Sequence, residues 1–90
     1  MLHIINKSPL ERSSLESCLR LMDSGTVLLI EDAVYAATRG HAAAGRLAEA
    51  AAHVRICVLA PDLEARGVAD RLIDNVTAVD YGGFVDLVAE

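Results

Sequence analysis

Thr26-Val27-Leu28-Leu29-Ile30-Glu31-Asp32-Ala33-Val34-Tyr35-Ala36-Ala37 decides the fold. Its first five residues form an unbroken run of β-branched and leucine side chains, entered from Gly25 and stopped by Glu31 and Asp32. That is the pattern of a parallel strand buried on both faces. Asp32 precedes Ala33, Val34, Ala36 and Ala37, so the chain is read as turning sharply into a helix, with the Asp32 carboxylate capping its open N–H groups. The Glu31–Asp32 junction then lies at the carboxyl end of a strand, where open parallel sheets gather ligands and chemistry.

On the N-terminal side, Met1 to Ile5 reads as a first strand containing His3, with Asn6-Lys7-Ser8-Pro9 as its exit loop. Ser8-Pro9-Leu10-Glu11 and Ser13-Ser14-Leu15-Glu16 both carry the Ser-x-x-Glu spacing of a capping box, and the second is the better helix start. Leu15, Cys18, Leu19 and Met22 follow at helical spacing on one face, until Ser24-Gly25 ends the helix.

On the C-terminal side, a short helix over Asp32 to Thr38 breaks at Arg39-Gly40, and Ala42 to Ala52 is a second, alanine-rich helix weakened at Gly45 by about 1 kcal/mol. His53 to Leu59 is a third strand, stopped by Ala60-Pro61-Asp62. Pro61 and Asp62 start a short helix through Arg66, closed by Gly67. Val76 to Val79 is the fourth strand. Asp80 caps a last helix, Tyr81 to Ala89, whose Phe84, Val85, Leu87 and Val88 are expected to pack on the sheet despite Gly82-Gly83. Strands alternating with helices over residues 1–90 predict one compact three-layer α/β domain with a short, mainly parallel sheet of about four strands.

The composition narrows the function. The chain is 53% hydrophobic but only 3% aromatic, without tryptophan. That much apolar surface on 90 residues predicts that some remains uncovered in a monomer and meets another protein. The formal charge is −5 and the eight basic residues are scattered singly, which argues against direct nucleic-acid contact. There is no membrane-length apolar run and no signal-type start, so a cytoplasmic location is expected, with Cys18 and Cys57 as thiols.

The carboxyl-end rim would carry Asn6, Lys7, Ser8, Glu31, Asp32, Asp62, Asp80 and Tyr81. Carboxylates beside a lysine suit Mg²⁺ or phosphate, yet each aspartate directly precedes a helix and is explained as a cap. No glycine cradle for a nucleotide occurs, and no metal or cofactor is expected. His3 reads as a core histidine, and His41 and His53 as solvated side chains, because none has metal-ligand spacing. Cys57, among Ile56, Val58 and Leu59, is a structural thiol. Cys18 reads two ways: its apolar stripe argues for burial, whereas Glu16, Ser17 and Arg20 around it allow exposure.

Several residues in order carry a resemblance. Met1-Leu2-His3, Asn6-Lys7-Ser8-Pro9-x-Glu11-Arg12, Ser14-Leu15-Glu16-Ser17-Cys18-Leu19, Glu31-Asp32-x-x-Tyr35-Ala36-Ala37, Leu59-x-Pro61-Asp62-Leu63-x-Ala65-Arg66-Gly67 and Val79-Asp80-Tyr81-x-Gly83-Phe84-Val85 together resemble the DsrH (TusB) family of sulfur-relay proteins over nearly the whole chain. The resemblance implies a DsrE-like, flavodoxin-related fold. It also implies a heterohexamer with DsrE/TusD-like and DsrF/TusC-like subunits, which passes persulfide sulfur between carrier proteins of TusA/DsrC type. Such a chain is a sulfur carrier rather than an independent turnover enzyme. Within the family, the branch from sulfur-oxidising bacteria carries a cysteine at the position of Cys18, whereas the branch serving 2-thiolation of the tRNA wobble uridine commonly lacks it. The cysteine tilts the resemblance toward dissimilatory sulfur oxidation rather than tRNA thiolation and makes Cys18 the candidate persulfide acceptor, although the resemblance gives the principal relay cysteine to the DsrE/TusD-like subunit; two alternatives stand beside it, a purely structural subunit and a small-ligand or phosphate-sensing α/β domain using the acidic rim.

Overall fold

The computed structural model describes residues 2–6 and 24–89. Within them, four strands form one sheet in the order β1 (Leu2–Ile5), β2 (Thr26–Leu29), β3 (Arg55–Leu59), β4 (Thr77–Val79). Every neighbouring pair is parallel. The organising stretch is an interior strand, paired with β1 on one side and β3 on the other. Its Val27, Leu28 and Leu29 are completely buried, as a run without polar alternation requires.

Register separates the two faces. Val27 and Leu29 pair with Ile56 and Val58 and point to one side. There they meet Ala33, Val34, Ala36 and Ala37 of a 3-10 segment, η1 (Glu31–Ala37), together with Leu47 and Ala50 of α1 (Ala44–Ala50) and Leu63 of α2 (Ala60–Ala65). The three alanines of η1 are fully buried, and their small side chains let its backbone lie close on the sheet. On the opposite face Leu28 and Cys57 are covered by Leu87 of α3 (Tyr81–Ala89), with Leu2, Ile30, Val79 and Phe84 around them. Helical layers on both faces make the expected three-layer α/β arrangement.

The segment after β2 differs from the expected one. It is a 3-10 helix, its N-cap position is Ile30, and no side chain caps it. Both of its ends are held. Glu31 enters with φ 51, and Thr38 leaves it extended, bridging antiparallel to Leu72. Around that bridge the Arg39 N–H donates to the Arg71 carbonyl at 2.7 Å and the Ile73 N–H to the Ala37 carbonyl at 2.9 Å. A seven-residue helix fastened at both ends takes the tighter, more extended winding that fits the span.

Asp80 behaves as predicted: its Oδ1 accepts from the Gly83 N–H at 2.7 Å and its carbonyl from the Phe84 N–H at 2.9 Å, which opens α3. The expected packing of α3 is only half right. Phe84 and Leu87 face the sheet, whereas Val85 and Val88 are 63% and 54% exposed, because a helix laid on a sheet buries one stripe and these two residues lie beside it. The helix expected from Leu15 to Met22 lies outside the described residues.

Candidate functional site at the carboxyl end of the sheet

The residues that follow β2 and β3 meet in space. Glu31 is a non-glycine residue in the left-handed region, a conformation that costs about 1 kcal/mol or more and persists only where the surroundings hold it. The hold comes from α2. Asp62, in the first turn of that helix, turns its Oδ2 onto the Glu31 N–H, which donates at 2.6 Å. One turn later, Arg66 donates from Nε to Asp32 Oδ1 at 3.0 Å, with a second nitrogen also 3.0 Å from that oxygen. The Arg66 guanidinium also lies 4.0 Å from Asp62 Oδ1 and donates to the Asp62 carbonyl at 3.4 Å.

Two expectations are corrected here. Asp32 does not cap its helix; with Glu31 in the left-handed region, its carboxylate is directed across to Arg66 instead. Nor does Asp62 cap its own helix: α2 begins at Ala60 with no side-chain cap, and Asp62, within its first turn, accepts from the Glu31 N–H on another element. Of these aspartates, Asp80 is the one that caps its own helix.

This clasp joins η1 to α2 and sets the rim beyond Ile30, whose own N–H donates to the Ile5 carbonyl at 2.9 Å. Chemically it is a closed arrangement. Both aspartates are engaged by donors and share the Arg66 guanidinium, and the described rim residues Glu31, Asp32, Asp62 and Arg66 carry net negative charge, which does not favour a phosphate. Among the described residues, no group of three His, Cys, Asp or Glu side chains is placed to hold a metal ion. Asn6, at the end of β1, is exposed, and Lys7 and Ser8 lie outside the described residues.

The histidines fall into three situations. His53 is exposed, as expected, and His3 is half-buried on β1. His41, expected to be solvated, is half-buried with its Nδ1 accepting from the Ala43 N–H at 3.0 Å. That contact closes the turn ahead of α1, which begins at Ala44 rather than Ala42 and has no side-chain cap.

Cys57 is fully buried between Leu28 and Leu87, and the structural reading of it holds. Cys18, the candidate persulfide acceptor, lies outside the described residues. Arg66 and the backbone of Glu31 are what the sequence reading missed. A lone arginine near a helix end carries no local signal for a partner 34 residues away, and no residue-type rule points to glutamate at positive φ.

The family model described as DsrH like protein matches residues 7–90, including the segment that bears Cys18. The chain belongs to the DsrH family. DsrH-family relatives called Protein TusB match it end to end: one from Pectobacterium parmentieri is 41% identical, over 100% of this chain and 93% of its own length. Another, from Klebsiella pneumoniae strain 342, is 38% identical over the same shares. The same fold is seen in a solved structure, a protein of unknown function from Methanobacterium thermoautotrophicum, MTH1491. It superposes with a TM-score of 0.67 at 21% identity, covering 98% of this chain and 88% of that one. That likeness speaks for the fold alone.

Proposed function

We propose that this chain is the TusB-type subunit of a cytoplasmic sulfur-relay complex that delivers persulfide sulfur for 2-thiolation of the tRNA wobble uridine. The observation that carries the reading is the family match: the DsrH model spans residues 7–90, and relatives named TusB align with the chain along its whole length. Partners of TusC and TusD type complete the complex, and carriers of TusA type hand sulfur to it or take it away. The exposed Tyr81, Val85 and Val88 agree with a chain that works inside an assembly, since isolated domains seldom leave apolar helix stripes in water.

Cys18 is the sulfur acceptor in this proposal. Its thiolate attacks the outer sulfur of a donor persulfide; the donor S–S bond breaks, the donor leaves as a thiolate, and Cys18 becomes the persulfide, with no net oxidant consumed. Cys57 does not compete, because a fully buried thiol is denied access to a donor. No helix among the described residues is long and apolar enough to cross a membrane.

Cys18 itself supports a second reading, sulfur oxidation, through its resemblance to the branch that carries a cysteine there. Deleting the gene in its own host separates the two. The tRNA reading predicts loss of 2-thiouridine at the wobble position, restored by the wild-type chain. Unchanged thiolation together with impaired oxidation of reduced sulfur would transfer the chain to the other pathway.

A further inference from the structure

No further inference is drawn: the strongest candidate, the exposed apolar stripe of Tyr81, Val85 and Val88 along α3, with Ile4 exposed on the same face of the sheet, carries nothing because nothing in the structure shows what covers it.

Discussion

The backbone N–H of Glu31 donates to Asp62 Oδ2 at 2.6 Å, so the end of one central strand is held by the helix that follows the next. The contact fastens a left-handed glutamate at the carboxyl edge of the sheet. Removing its acceptor leaves that N–H to water and the left-handed conformation without its support. Asp62→Ala is therefore expected to lower stability by about 1 to 2 kcal/mol, and Asp62→Asn, which keeps an acceptor oxygen, by clearly less. Urea unfolding of the three proteins checks this. Equal losses in the two variants would show that charge, not the hydrogen bond, is what matters.

Glycine reaches the left-handed region without steric cost, so Glu31→Gly is expected to be neutral or stabilising by up to about 1 kcal/mol, and Glu31→Val destabilising. Thermal melts of the pair read the sign directly. A strongly destabilised glycine variant would mean that the glutamate side chain supports the fold.

Asp32 is 58% exposed and Arg66 only 23%, so their ion pair is partly screened. Asp32→Ala is expected to cost about 0.5 kcal/mol or less, an effect that fades in high salt, with Arg66→Ala costing more because it also loses its contacts to Asp62. Denaturation at low and high ionic strength separates screening from packing. A cost for Asp32→Ala that ignores salt would contradict the pairing.

Two glycines make opposite predictions on identical chemistry. A methyl group at Gly45 in α1 meets nothing within 4 Å, so Gly45→Ala is expected to stabilise by about 0.5 to 1 kcal/mol through helix propensity. At Gly83 the same methyl would sit 3.0 Å from Val79 Cβ, and α3 could accept it only by moving off β4. Gly83→Ala is therefore expected to gain nothing or to lose stability. Calorimetry on both variants tests this, and a stabilising Gly83→Ala would show that α3 shifts freely.

The sheet was legible because its information is local. Four apolar runs, ended by Asn6, Glu31, Pro61 and Asp80, marked strands that the structure places within one or two residues of their expected limits. The Asp80 cap was legible too, since Gly83 and Phe84 lie three and four residues away. The rim was not. Asp32 and Asp62 have the same sequence signature as Asp80, yet their partners lie 34 and 31 residues off, on elements that only the fold brings together. Val85 and Val88 were assigned to the core by residue type, although helix geometry leaves room for only Phe84 and Leu87. Pattern identifies an apolar helix face; it does not say how much of that face a single sheet can cover.

The relay role of Cys18 is tested most directly by mass. The complex, assembled with its TusC- and TusD-type subunits, is incubated with a persulfide donor and its chains are weighed separately. This chain should gain one sulfur atom, removable by reduction, absent in Cys18→Ser and retained in Cys57→Ser. Sulfur appearing on a partner subunit while this chain stays unmodified would contradict the role.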